Sequence, residues 1–375
     1  MSPAFSSPRQ AAAFAALLLV LLLLPALFGK SALPSREQMY SAVPWRIGPY
    51  PFLHQAIFED KGDVDIAFMG SSTMYTGIDT PYVQAALTRG LGHPATVITA
   101  AWLRPGYDAL YFTARDLLQN RKVHTIVITD LFKTGFNPHD AAPYWFRIAD
   151  DAAALSPMPG ESISRRQLAL IYSRYYFAAI LGMPRNLLGL IRKNLPDYLY
   201  SPDRLGGLPG LHIECENPAD RLGSMRAETG FYCGPFSEFT PVPRASPSDA
   251  CIYSPATADK FQFTNEPLNP WQLHFARKFA ALAKMHGTQI ALIQLPELED
   301  AGASRITTRG NWSTILGYPT AIVGIPPDRA FAGLSPGDSQ KLFYDPEHLN
   351  KNGQEYFEKL LTPALLKIYE TRQDN

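Results

Sequence analysis

The stretch Asp65-Ile-Ala-Phe-Met-Gly-Ser-Ser72 decides how this chain reads. Val64, Ile66, Ala67, Phe68 and Met69 form a short, nearly continuous apolar run. Such a run, stopped by a glycine, reads as a buried parallel strand rather than a half-exposed one. Gly70-Ser71-Ser72 then breaks the strand at its carboxyl end, where open α/β sheets bind their ligands. A small residue lets the backbone turn sharply and leaves a serine hydroxyl facing the crevice. An ordinary strand-to-loop turn has the same composition. The stretch gains meaning from Asp345-Pro-Glu-His348, near the other end of the chain.

Outward from Ser72 the sequence alternates between strand and helix signals. Asp79-Thr80-Pro81 is a helix start, a capping hydroxyl followed by proline at the first helical position. Val83, Ala86 and Leu87 supply its inner face, and Gly90 or Gly92 ends it. Residues 95–99 read as a second strand, 107–120 as a helix with Leu110, Ala114, Leu117 and Leu118 on one side, and 124–129 as a third strand. This order implies a parallel sheet with helices on its faces. The pattern returns with a helix from Pro270 to about His286, which Gly287 caps, and a strand over 289–295. A short strand is expected over 321–325, and a last helix ends near Tyr369 with Phe357, Leu360, Leu361, Leu365 and Ile368 on its apolar side.

Between these halves, residues 133–265 carry many aromatics and prolines and all three cysteines. A helical stretch is expected from about Ser164 to Asn194, either a cover for the core or a lid, glycan-binding or membrane-facing element. An insert this long without sheet periodicity reads as functional decoration rather than linker. Cys215, Cys233 and Cys251 allow one bridge and leave one thiol over, and their spacing does not choose the pair. No close Cys-x-x-Cys pair suggests zinc.

The first residues give the address. Ala11 to Gly29 hold no charge. At about 1.5 Å per residue a helix of that length nearly crosses a ~30 Å hydrocarbon core. A cleaved signal peptide and an uncleaved anchor both fit. Phe28-Gly29-Lys30 lacks a small-x-small cleavage pattern, which favours the anchor. The expected division is a transmembrane helix over 1–30, a membrane-proximal neck over 31–60, an α/β domain over 61–132 and 266–375, and the insert over 133–265. Basic and acidic residues number 34 each, so nothing in the charge balance argues for nucleic acid.

A serine becomes a useful nucleophile only beside a base that a third group orients. Asp345 and His348 lie three residues apart just before a helix, a spacing that brings carboxylate and imidazole together. Gly70-Ser71-Ser72 after an apolar strand, with Asp345-x-x-His348-Leu-Asn350 before a C-terminal helix, resembles the SGNH (GDSL-like) hydrolase superfamily. More narrowly, it resembles membrane-anchored members tied to polysaccharide O-acylation, relatives of the alginate acetylation and teichoic-acid D-alanylation proteins. The resemblance covers about 60–132 and 268–370.

The resemblance implies a three-layer, flavodoxin-like α/β fold with Ser72 as nucleophile, His348 as base and Asp345 as acid. Ser71 stands where the family has Asp. The oxyanion hole would draw on the Ser72 N–H, Gly106 after the second strand, and Asn137 after the third, where Thr129-Asp130-Leu-Phe-Lys-Thr-Gly-Phe-Asn137 departs from the family's Gly-x-Asn-Asp. No cofactor is implied. The expected substrate is an O-acyl group, most simply acetyl, on an envelope or secreted glycan. The expected partner is a membrane-bound O-acyltransferase, and the expected location the bacterial cytoplasmic membrane with the α/β domain outside. A rival reading keeps the fold as a non-catalytic scaffold for that acyltransferase. A nucleotide- or sugar-binding domain is a third, and the absence of a Gly-rich phosphate loop counts against it. His139-Asp140 reads as loop, and Asn311-Trp-Ser313 as a glycosylation sequon that matters only in a host that uses it.

Overall fold

A computed structural model describes residues 7–27, 35–42, 50–101, 106–130, 152–158, several positions between 161 and 173, 246–343 and 345–371. The chain divides into two compact units. The larger, Pro44–His139 with Pro196–Asn375, contains the sheets. Its strands are β1 (Val64–Gly70), β2 (Val97–Ala101), β3 (Val123–Thr129), β4 (Cys251–Ile252), β5 (Phe261–Thr264), β6 (Gln289–Ile293), β7 (Ile306–Arg309) and β8 (Thr320–Gly324). Six of them form one sheet in the order β2-β1-β3-β6-β8-β4, and β5 pairs with β7 in a separate ribbon. Every pairing is parallel except that of the two-residue edge strand β4 with β8. The α/β reading with a parallel sheet therefore holds. The strands β4 and β5, drawn from within 133–265, are additions that periodicity does not reveal, being too short to show one.

The smaller unit, Met1–Val43 with Asp140–Leu195, contains α1 (Pro8–Leu27). Phe14, Leu17, Leu18, Leu19 and Val20 are exposed on it. Among the described residues no helix is long and apolar enough to cross a membrane. The transmembrane helix expected over 1–30 thus has no support in the structure. Most of the Ser164–Asn194 stretch, together with Cys215 and Cys233, lies outside the described residues.

Helices of the larger unit follow their signals closely. They include α2 (Ser72–Gly77), α3 (Thr80–Leu91), α4 (Tyr107–Asn120), α5 (Pro270–Met285), α6 (Trp312–Leu316) and α7 (Lys351–Glu370). The cap of α3 is the Asp79 carboxylate, which accepts the Tyr82 N–H at 3.3 Å. The expected capping hydroxyl, that of Thr80, instead bonds Thr99 on β2 at 2.6 Å. Gly92 ends α3 in the left-handed region at φ 72°, where a Cβ would be strained.

Because successive strand residues point to opposite faces, β1 needs cover on both sides. Ile66 and Phe68 join Val127, Ile293 and Val323 in a core completed by Val83 and Leu87 of α3 and by Phe357, Leu360, Leu361 and Leu365 of α7. Ala67, Met69, Ile126, Ile128, Ile290 and Leu292 are equally buried on the alternate positions. The paired helices α4 and α5 form the second layer, with Phe112 and Phe275 rings 5.7 Å apart. Two-sided burial is the reason the Val64–Met69 run shows no polar alternation beyond Asp65. Strand order reverses between β1 and β3, so the crevice at the carboxyl edge opens beside Gly70.

Gly70 is required by proximity. A Cβ there would lie 2.5 Å from the Thr129 hydroxyl and 2.9 Å from Met74 Cβ. Gly70→Ala should therefore destabilise the protein by about 1–3 kcal/mol, the cost of overpacking a filled site. Urea denaturation checks this, and an unchanged midpoint would contradict the packing described.

Candidate active site

Ser71 ends the strand and caps α2, its hydroxyl accepting the Thr73 N–H at 3.3 Å and sharing a 2.7 Å hydrogen bond with the Thr73 hydroxyl. That places Ser72 as the first residue of α2, with its side chain half-buried at the crevice. The Ser72 hydroxyl is 2.7 Å from His348 Nε2. On the other side of the ring, His348 Nδ1 lies 2.8 Å from each Asp345 carboxylate oxygen. An ionised carboxylate only accepts, so Nδ1 carries the proton. Nε2 is then the acceptor for the serine hydroxyl. The three residues expected to act together are brought together in the order expected.

The loop that presents Asp345 and His348 is closed at its base. Phe343 and Leu349 pair across it, and the Asn350 N–H donates to Leu342 O at 3.0 Å. Asn350 Nδ2 donates to Lys341 O at 2.8 Å, while its Oδ1 accepts the Gly353 N–H at 3.1 Å and caps α7. Gly353 has no room for a Cβ, which would run into the Leu342 carbonyl. Pro346 O accepts the Leu298 N–H at 2.9 Å, tying the loop to the chain that leaves β6. Within the loop, Asp345 Oδ1 accepts the N–H groups of Glu347 and His348, both at 2.9 Å.

These contacts set the charge state of Asp345. Burial acts to raise its carboxyl pKa. The Glu347 N–H, the His348 imidazole and the His348 N–H together outweigh burial and hold it below the usual carboxylate range. The Asp345 side chain is 38% exposed and the His348 side chain 13%. The acid is thus wetter than the imidazole it holds.

The helix that begins with Ser72 is fixed from behind. Glu358 of α7, 2% exposed, accepts the Asp79 N–H at 2.7 Å just past the end of α2. Gly77 packs on Leu295, where a Cβ would meet Leu295 Cδ1 at 2.6 Å. Neither Glu358 nor the double role of Asn350 was expected from sequence. Asn350 carries a legible signal, an Asn immediately before a helix. Glu358 reads as an ordinary helix-surface charge.

The oxyanion candidates fare unequally. Ser72 lies in the first turn of α2, where backbone N–H groups lack intrahelical acceptors. Gly106 stands at the head of α4, and a Cβ there would run into Asp108 and come within 2.7 Å of Gln272 Nε2. That packing explains the glycine without an oxyanion role. Asn137 lies outside the described residues. No cluster of His, Cys, Asp or Glu among the described residues is arranged to hold a metal ion.

Compared with protein-family models and with curated proteins, the sequence gives no match to either.

Two outcomes follow from the loop. Asn350→Ala should cost about 1–2 kcal/mol through loss of the cap and of the loop closure. Asn350→Asp should recover only the cap, since it lacks the donors to Lys341 and Phe343; chemical denaturation of the three proteins reads the difference. Asp345, with its lowered pKa, contributes stability that is present above about pH 3.9 and lost as pH falls through its folded-state value. The stability gap between wild type and Asp345→Asn should close on acidification, and a gap that widens would reverse this assignment.

Proposed function

We propose that the chain is a serine esterase or O-acyltransferase of the SGNH type, acting on acyl groups, most simply acetyl, carried by an envelope or secreted polysaccharide. The observation that carries the reading is the 2.7 Å contact of Ser72 with an imidazole whose far nitrogen is held by Asp345. The strand order supports it. Counting only the parallel strands, β2-β1-β3-β6-β8 is the 2-1-3-4-5 order of flavodoxin-like folds, and Ser72 follows the strand at the switch point, where such folds bind ligands.

In this reading the Ser72 hydroxyl passes its proton to His348 Nε2 as its oxygen attacks the acyl carbon. Asp345 holds the ring in the required tautomer and stabilises the imidazolium. The Ser72 N–H is placed to meet the negative oxygen that forms. His348 then protonates the departing sugar oxygen, leaving an acyl-serine, and assists water or a second sugar hydroxyl in taking the acyl group. The reading places the protein at a bacterial cytoplasmic membrane, with the α/β unit outside and a membrane-bound O-acyltransferase as partner, on the strength of the sequence resemblance. A non-catalytic scaffold for that partner is the second reading, favoured by the close packing of Asp108 and Gln272 at Gly106, which accounts for that glycine without an oxyanion role.

The deciding experiment treats the full-length protein, in detergent, with a fluorophosphonate and measures intact mass. One adduct is expected, absent from Ser72→Ala and formed on the order of 10⁴-fold more slowly in His348→Ala. Folded wild-type protein that takes no label would favour the scaffold.

A further inference from the structure

Helix α3 begins with half of a capping box. In the whole motif the N-cap side chain accepts the N–H of the third helical residue, and a Glu or Gln there accepts the N–H of the N-cap in return. Here Asp79 is the N-cap, and its carboxylate accepts the Tyr82 N–H at 3.3 Å. Tyr82 stands where the reciprocal Glu or Gln belongs and has no carboxylate or amide to return. The acceptor comes instead from another helix. Glu358 Oε1, about two turns into α7, takes the Asp79 N–H at 2.7 Å. The box is thus shared between two helices, its halves 279 positions apart. The amino end of a helix is a favourable place for a carboxylate, because its N–H groups and partial positive charge face it. That offsets the cost of closing Glu358 into a place where it is 2% exposed.

The junction held by this bond has little slack. The Ile78 N–H donates to Met74 O at 3.2 Å, which carries the α2 hydrogen bonding up to the residue before Asp79. On one side of Asp79, Gly77 packs against Leu295 of the segment after β6. On the other, the Thr80 hydroxyl bonds Thr99 of β2 at 2.6 Å. Those contacts hold the junction to the sheet. The Glu358 bond holds it to α7, the helix whose cap, Asn350, closes the loop of Asp345 and His348. Ser72 opens α2 and His348 precedes α7, so the bond ties together the two elements that meet at the 2.7 Å Ser72–His348 contact.

We propose that Glu358 is a positioning residue for the Ser72–His348 pair, setting the distance between hydroxyl and imidazole by completing the capping box of α3 from α7. It acts by reach rather than by charge: the requirement is an acceptor oxygen at the end of a two-methylene stem. Its bearing on turnover rests on the reading of Ser72 as nucleophile.

Three variants of the full-length protein, assayed by hydrolysis of 4-nitrophenyl acetate and by fluorophosphonate labelling, separate reach from charge. Glu358→Asp keeps the charge and withdraws the oxygen by one methylene. Its kcat should fall about 10- to 100-fold with KM unchanged, the signature of a misplaced reacting pair. Glu358→Ala should fall at least as far. Glu358→Gln keeps the reach without the charge, and Gln serves a capping box as Glu does; its kcat should stay within about threefold of wild type, with the midpoint of the pH–rate profile unmoved. Phe112→Leu, a core change on α4, controls for lost stability and should leave the kcat of folded protein unchanged. An active Asp variant beside an inactive Gln variant, a change confined to KM, or full turnover in Glu358→Ala would overturn the assignment. Should Glu358→Ala fail to fold, the Asp and Gln pair decides. Wild-type protein that neither labels nor hydrolyses would end the reading of Ser72 but not the positioning, which crystals of Glu358→Asp then decide. Ser72 Oγ and His348 Nε2 should part beyond about 3.5 Å, outside hydrogen bonding. A retained 2.7 Å contact would end the positioning role.

Discussion

The docking of α7 on the sheet is the interaction from which the site follows. Phe357, Leu360, Leu361 and Leu365 bury one flank of this helix against Ile66, Phe68, Val127 and Val323. Its first turn, through Asn350 and Gly353, closes the loop that carries Asp345 and His348. Two turns further on, Glu358 takes the backbone N–H of Asp79 behind the nucleophile helix. One rigid element thus sets both the imidazole and the turn bearing Ser72. Hydrogen-bonded catalysis tolerates misplacements of well under 1 Å. A shared support of this kind ties both sides of the Ser72–His348 contact to the docking of one helix.

Most of the α/β frame was legible because its signals are local. The apolar run before Gly70, the Pro-started helices α3 and α5 and the heavy apolar flank of α7 each carry their pattern within one element. The boundaries moved where tertiary contacts outbid local signals. The Thr80 hydroxyl was taken up by Thr99 on β2, so the cap of α3 passed to Asp79. β2 runs from Val97 to Ala101, two residues later than the apolar stretch suggests, in register with Ile66–Gly70. The strands β4, β5 and β7 have two to four residues each. Their pairing depends on neighbours far along the chain, and no period can be read from so few positions.

The site divides in the same way. Ser72, Asp345 and His348 were legible because an Asp three residues before a His, ahead of a helix, is a compact local pattern. What surrounds them was not. Glu358, Asp130 and Arg309 look like ordinary surface charges until the fold buries them. The roles of Gly70 and Gly106 are set by atoms of Thr129, Met74, Asp108 and Gln272, and a sequence holds no record of that closeness. Hydrophobic patterning tells which face is covered, whereas the identity of the covering atoms emerges only in three dimensions.

The separation of Ser72 from His348 along the chain has a consequence for the order of biosynthesis. Ser72 and His348 are 276 positions apart, and β3 must find β6 across more than half of that interval. Closing so long a segment costs entropy that grows only slowly with length, yet nothing can close before the later half has been made. Ser72 therefore leaves the ribosome well before His348 does. Until then the Ser72 hydroxyl has no imidazole beside it. The Ser72–His348 contact can form only once the loop before α7 has been made and α7 has docked on the sheet.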